Sequence, residues 1–132
     1  MNGCGEFNLE ECGNFIEQIE KFIKTNYNKN KPDAERFKEL LIEIKNEIIK
    51  NPLCPKSFSE PWPDGSHNSA YELRKYFFNV PGLKGSSREG RLMYLYCREK
   101  RTVNLLMLYT HKQYEKRPDN KLLKSLLEEA TR

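Results

Sequence analysis

The chain has 132 residues, of which 37% are hydrophobic, 32% charged and 11% aromatic. This length and composition fit one soluble globular domain with its own core, and they exclude a chain that is mainly disordered. No apolar run approaches the roughly 18 residues that a membrane span needs, and the first residues lack the basic start and apolar core of a signal peptide. We therefore expect a cytoplasmic protein with a single domain over residues 1–132.

The net charge of +4 is divided unevenly along the chain. Residues 1–69 contain 9 Lys or Arg and 12 Asp or Glu, whereas residues 70–132 contain 14 and 7, so the halves carry net charges of −3 and +7. This asymmetry predicts a polyanionic partner, such as nucleic acid, for the second half. The alternative is a basic face that only contacts solvent.

The cysteines have neither the spacing nor the neighbours of a metal site. Cys4, Cys12, Cys54 and Cys97 form no CxxC pair, and neither histidine stands near them. We therefore expect no metal and no cofactor.

Hydrophobic periodicity predicts two helices in the first fifty residues. Alternating Phe7 and Leu9 suit a short edge strand, and apolar residues then recur at three- and four-residue spacing from about Asn14 to Tyr27. A second amphipathic stripe begins at Pro32 and continues to about Lys50. Two helices with a short connection predict an αα-hairpin.

The remainder of the chain predicts an antiparallel sheet and a final helix. Residues 51–69 contain four prolines and Trp62, which favours an extended connector. Alternation in AYELRKYFF predicts a strand, and the apolar runs RLMYLYC and VNLLMLYT, separated by REKRT, predict a hairpin of buried strands. A leucine-rich segment after Pro118 predicts a short C-terminal helix. The expected fold is α+β, with the αα-hairpin packed on a small antiparallel sheet.

Basic residues between and after the strands are the candidate phosphate ligands. The loop GLKGSSREG, residues 82–90, lacks the GK[ST] ending of a nucleotide P-loop. It either offers Lys84, Arg88 and backbone amides to phosphate or is an ordinary exposed turn. Arg91 opens the next strand, where it either reaches a phosphate from a rigid base or forms a structural ion pair. Trp62 either anchors the connector on the core or stacks on a base.

The run YTHKQYEKR, residues 109–117, carries the strongest signal for reaction chemistry. Cleavage of RNA without metal needs a proton acceptor, a proton donor and cations around the phosphorane-like transition state. His111 suits proton transfer because imidazole titrates near neutral pH. The alternative, which residue statistics alone favour, is a histidine that caps the strand end. Lys112, Lys116 and Arg117 supply charge, and Tyr114 supplies a stacking face or a phenol.

Several segments of the second half carry a resemblance to a known family: AYELRKYFF, the glycine-rich turn, GRLMYLYC and VNLLMLYTHKQYEKR, followed by a leucine-rich helix. Together they resemble the RelE/ParE superfamily of bacterial type II toxins. The resemblance covers about residues 58–129, and residues 5–50 follow its element order. It implies either a RelE-like mRNA interferase, which cleaves mRNA at the ribosome and is held by a cognate antitoxin protein, or a noncatalytic ParE-like gyrase inhibitor. A nucleic-acid-binding regulatory protein is a further alternative.

The resemblance also implies roles for individual residues. Arg91 matches the strand arginine that grips the scissile phosphate, and Arg74 and Lys75 lie on the strand that supplies catalytic or phosphate-binding lysines. Glu72 and Arg74 depart from the lysine pair expected there. With the residues argued above, the candidate set is His111, Arg91, Tyr114 and Arg117 for catalysis, Arg74, Lys75, Lys84, Arg88, Lys112 and Lys116 for RNA or phosphate, and Trp62 for base stacking.

Overall fold

The computed structural model describes residues 6–132, which form three α-helices and one five-stranded sheet. The helices are α1 (Phe15–Tyr27), α2 (Lys31–Lys50) and α3 (Asn120–Ala130). The strands are β1 (Asn8–Glu11), β2 (Ser57–Ser59), β3 (Glu72–Asn79), β4 (Glu89–Cys97) and β5 (Thr102–Thr110). No helix among these residues is long and apolar enough to cross a membrane. The α+β class and the three helices predicted from the sequence are confirmed.

The sheet is mixed, which differs from the antiparallel sheet that the sequence predicts. Its strand order is β1-β5-β4-β3-β2, and β1 runs parallel to β5 while the other pairs are antiparallel. The antiparallel expectation came from hairpins, which constrain only strands joined by short turns. About ninety residues separate β1 from β5, so no turn fixes their relative direction.

Helices α1 and α2 cover one face of the sheet. Their aromatic residues interlock, since the rings of Phe22 and Phe37 stack with centroids 5.0 Å apart. Asn30 caps α2 by accepting a hydrogen bond of 3.2 Å from the Asp33 amide, and Pro32 occupies the first turn. This layer buries the even-numbered residues of β4, among them Leu92 and Tyr94. We call this side of the sheet the hairpin face.

Helix α3 packs on the opposite side of the sheet, which we call the α3 face. Leu123 and Leu127 of α3 are buried against Met93 and Leu95 of β4. Asp119 caps the helix, because its carboxylate accepts a 2.9 Å hydrogen bond from the Leu122 amide. With eleven residues, α3 covers only part of this face. Beyond the helix, polar and aromatic side chains such as Phe77, Arg91 and Tyr109 lie side by side on β3, β4 and β5.

Polar contacts hold the proline-rich connector onto the hairpin face. Arg74 donates from Nε to the Ser57 hydroxyl at 2.8 Å and from Nη2 to the Ser57 carbonyl at 2.9 Å. The Tyr94 hydroxyl donates to the Pro52 carbonyl at 2.5 Å and also contacts the Ser57 hydroxyl. These bonds satisfy groups that are buried. Three residues of the connector, Ser57–Ser59, pair with β3 and form the short edge strand β2.

Substituting Gly90 by alanine is expected to destabilise the fold by about 1–3 kcal/mol, because the site has no room for a side chain. A Cβ on Gly90 would lie 2.5 Å from Cζ of Phe78, whose ring is itself buried in the core. Urea unfolding of Gly90→Ala measures the loss. The double variant with Phe78→Leu should recover part of it, and full additivity of the two changes would contradict the steric explanation.

Stability is expected to fall between pH 9 and pH 11 because of buried thiols. Burial, and then the Glu47 carboxylate, raises the pKa of Cys54 from 9.0 to about 11, and burial with Glu129 does the same to Cys12. The folded protein then holds these protons more tightly than the unfolded chain, so unfolding above pH 9 releases protons. The contribution is complete below pH 9 and is lost as the pH approaches 11.

Urea midpoints at pH 8, 9.5 and 10.5 measure this dependence. Cys54→Ala should flatten the decline, since it removes one of the two thiols. A midpoint that stays constant or rises over this range would show that the thiols are not shielded from water.

Candidate functional site

Arg91 lies at the centre of a row of side chains on the α3 face. It is the third residue of β4, opposite Phe77 of β3 and Tyr109 of β5. Its guanidinium carbon lies 4.1 Å from the centroid of the Phe77 ring, and Nη1 donates to the Gly90 carbonyl at 2.9 Å. Glu89 is 3.8 Å from Nη2 but half exposed. The β4 backbone, the Phe77 ring and the Gly90 carbonyl thus fix the position of the Arg91 guanidinium.

Lys75 and Arg117 share one carboxylate, that of Glu60. Lys75 Nζ lies 3.2 Å from Oε1 of Glu60, and Arg117 Nη1 lies 3.1 Å from Oε2. The three side chains are 9%, 19% and 16% exposed, so this is a largely buried triad. Arg117 also donates to the Pro61 carbonyl. The connector therefore places an anion between two cations on the α3 face.

The segment after β5 folds back over this face and is anchored by one carbonyl. The carbonyl of Lys116 accepts from Lys75 Nζ at 2.9 Å and from the Tyr109 hydroxyl at 2.8 Å. Tyr114 packs its ring edge-on against Tyr109 at 5.7 Å. Burial, and then the charge of Glu60, raises the pKa of Tyr109 well above the ordinary value for a phenol. The Tyr109 phenol therefore stays protonated, as a donor and not a base.

A cavity of about 690 Å³ opens beside the triad. Its lining includes Glu60, Lys75, Lys116, Arg117 and Asn120. Three of these side chains are cationic and one is an amide, so the cavity suits an anion if the Glu60 carboxylate moves away.

His111, Lys112 and the glycine-rich loop meet at one end of the sheet. The His111 amide donates to the Glu89 carbonyl at 2.9 Å, and the Lys112 amide donates to the Ser86 carbonyl at 3.2 Å. Residues 84–88 therefore lie beside the end of β5. His111, at this end, follows two residues after Tyr109, which pairs with Arg91. Within residues 6–132 no hydrogen bond or ion pair holds the His111 imidazole. A proton carrier there has no orienting partner.

Two predicted residues lie apart from this group. Arg74 points to the hairpin face, where Ser57 and, at 2.5 Å, Glu72 satisfy its guanidinium. Trp62 packs on the edge of the α3-face core and contacts the His67 ring edge-on at 5.7 Å. It lines a separate cavity of about 410 Å³. The geometry gives Arg74 a structural contact and gives Trp62 the position of a connector anchor.

The site contains residues that sequence reasoning missed. The sequence predicts no role for Glu60, because an isolated acid in a proline-rich segment carries no spacing signal. The sequence predicts only a strand at Phe77 and a connector at Phe58, although their rings contact each other with centroids 5.5 Å apart. The alternation of β3 places Phe77 on the same face as Lys75, which was an available signal.

No group of three or more His, Cys, Asp or Glu side chains suited to a metal occurs in the described part of the chain, and Cys4 lies outside that part. The chain matches no protein-family model, no curated protein and no solved structure. Function must therefore be argued from the chemistry of the site.

Proposed function

We propose that the protein is the toxin of a type II toxin–antitoxin pair, a RelE-like endoribonuclease that cleaves mRNA at the ribosome without a metal. The observation that carries this proposal is the set of cations on one sheet face, with Arg91 rigidly held near the position of His111. The proposed partners are mRNA, the ribosome and a cognate antitoxin protein, and the proposed location is the cytoplasm.

The proposed fold family rests on element order as well as on the site. A short strand, two consecutive helices, the three-residue strand β2, three longer strands and a final helix follow each other along the chain. We propose that α1 and α2 act as the αα-hairpin of a RelE-like domain, which supports the α3-face strands from behind.

The reaction would be an internal transesterification of RNA. The 2′-oxygen attacks the adjacent phosphorus, its proton passes to a base, and the bond to the 5′-oxygen breaks as that oxygen gains a proton. The products are a 2′,3′-cyclic phosphate and a free 5′-hydroxyl. His111 is the proposed proton carrier, and Arg91 stabilises the charge that develops on the phosphate oxygens.

The other cations are proposed to bind the flanking phosphates. Lys84, Arg88 and Lys112 surround the end of β5, and Lys116 and Arg117 line the cavity on the α3 face. Tyr114 is the proposed stacking face, since its ring packs beside Tyr109 at the site. Phosphate contacts of this kind position a strand without reading its sequence.

A second candidate is a noncatalytic protein, either a ParE-like gyrase inhibitor or a nucleic-acid-binding regulator. Two observations favour it. Glu60 neutralises Lys75 and Arg117, and the His111 imidazole lacks an orienting partner among the described residues. Both features suit a face that binds a partner without reacting with it.

Induced expression with mapping of RNA 5′ ends distinguishes the two candidates. The nuclease predicts growth arrest with mRNA breaks that disappear in His111→Ala and persist in His67→Ala, which removes the other histidine in the chain. Arrest with intact mRNA and damaged DNA would favour gyrase inhibition. Unchanged growth and RNA would reject both toxin activities.

A further inference from the structure

Two exposed phenyl rings stand at the β2 edge of the sheet. Phe58 of β2 is 56% exposed and Phe77 of β3 is 36% exposed, although phenylalanine is usually buried. Their centroids are 5.5 Å apart and the rings are nearly perpendicular. An adjacent pair of exposed aromatic rings is a contact surface more often than a lone ring is.

Two cationic side chains lie over the Phe77 ring of this pair. The Arg91 guanidinium carbon lies 4.1 Å from the Phe77 centroid, and Lys75 Nζ lies 5.9 Å from it. Next to the pair is a recess of about 340 Å³, which Phe77 and Arg91 line together with Lys56, Asn79 and Glu89. Phe58 stands at its rim, against Phe77. The recess thus combines aromatic faces, cations for phosphate, and an amide and a carboxylate that can hydrogen-bond to base edges.

We infer that the Phe58–Phe77 pair and the recess beside it bind an unpaired nucleobase of single-stranded RNA, stacked on the exposed rings with its phosphate toward Arg91 and Lys56. Aromatic rings flanked by cations are the common arrangement for single strands, because every base has a face that stacks. The inference rests on the proposed function for the identity of the polymer, and it deepens that function by naming a base-binding subsite.

The position of the recess agrees with a strand that continues to the reacting phosphate. Phe77, Arg91 and Tyr109 lie side by side on β3, β4 and β5, with about 5 Å between neighbouring strands. His111 follows two residues after Tyr109. A base held at the sheet edge therefore leads its backbone across Arg91 toward the end of β5.

A protein strand added to β2 is the competing occupant, and the geometry favours RNA over it. The edge strand has only three residues, Ser57–Ser59, which offers a short hydrogen-bonding ladder. The cations beside the rings suit a polyanion better than a hydrophobic segment.

Binding of a fluorescein-labelled 2′-O-methyl hexanucleotide, followed by anisotropy, tests the subsite. This probe cannot be cleaved by attack of the 2′-oxygen, so binding is measured separately from catalysis. Phe58→Ala and Phe77→Ala are each expected to weaken binding about 10-fold, in the range of one lost stacking contact. Phe58→Trp should bind at least as tightly as wild type. Ile42→Ala is the matched control, since Ile42 is a 58% exposed apolar residue on α2.

The outcomes separate this subsite from the proposed nuclease. Binding that depends on Phe58 supports the subsite even if no RNA is cleaved in cells, in which case only the nuclease is rejected. Unchanged affinity in Phe58→Ala would overturn the subsite, and so would equal affinity for duplex RNA, whose bases are already stacked. Loss of self-association in Phe58→Ala without loss of RNA affinity would assign the rings to a protein contact and overturn it too.

Discussion

Replacing Arg91 by alanine is expected to abolish growth arrest and to slow mRNA cleavage by about 10²–10³-fold. This is the usual cost of losing one preorganised hydrogen-bond donor that stabilises charge in the transition state. Arg91 is only 16% exposed at its side chain, and the Gly90 carbonyl and the Phe77 ring hold it in place. Such a group does not need to reorganise when charge develops on a phosphate. The variant should fold, because the lost cation–π contact is worth only about 1 kcal/mol.

Arg91→Lys makes this prediction more specific. Lysine keeps the charge but loses the planar fork that stacks on Phe77 and grips two oxygens, so its activity should lie between wild type and Arg91→Ala. Arg36→Ala is the matched control, because Arg36 is an exposed arginine paired with Asp33 on α2. The measurement is the cleavage rate of a reporter mRNA in a translation extract. Full activity in Arg91→Ala would remove this residue from the site.

Local patterns were enough to predict most of the elements. The apolar stripes that end at Tyr27 and Lys50 reflect helical spacing, which a buried face imposes on any sequence. The strand that starts near Gly90 was visible as an apolar run, and with it the position of Arg91. These features depend on neighbours within one or two turns, so one sequence contains the information.

Features that depend on distant segments were not predictable in the same way. Arg74 and Lys75 were both expected at phosphate, yet adjacent residues of a strand point to opposite faces, and only the packing of the helices shows which face is covered. The parallel pairing of β1 and the arrival of Glu60 between Lys75 and Arg117 both join segments far apart in the chain. No local spacing encodes such contacts.

Replacing Glu60 by glutamine is expected to destabilise the protein by about 3 kcal/mol and to create an anion site. Removing one partner of a buried ion pair leaves uncompensated charge, and here Lys75 and Arg117 would both lose their carboxylate. The cost lies at the low end of the usual range because the cavity of about 690 Å³ admits water and ions. Thermal and urea unfolding in chloride buffer measure this loss.

Phosphate should then restore part of the stability of Glu60→Gln, because an anion that binds only the folded state stabilises it. At a phosphate concentration ten times the Kd the gain is about 1.4 kcal/mol, whereas wild type, with Glu60 in place, should gain little over chloride of equal ionic strength. Glu72→Gln is the matched control, since that carboxylate pairs with Arg74 at 2.5 Å on the hairpin face, away from the cavity. Equal phosphate responses in the two variants would mean that anions act through general screening. A response confined to Glu60→Gln would mean that Glu60 occupies a place that a phosphate can take. Under the proposed function that phosphate would belong to RNA, and its binding would require the Glu60 carboxylate to move away.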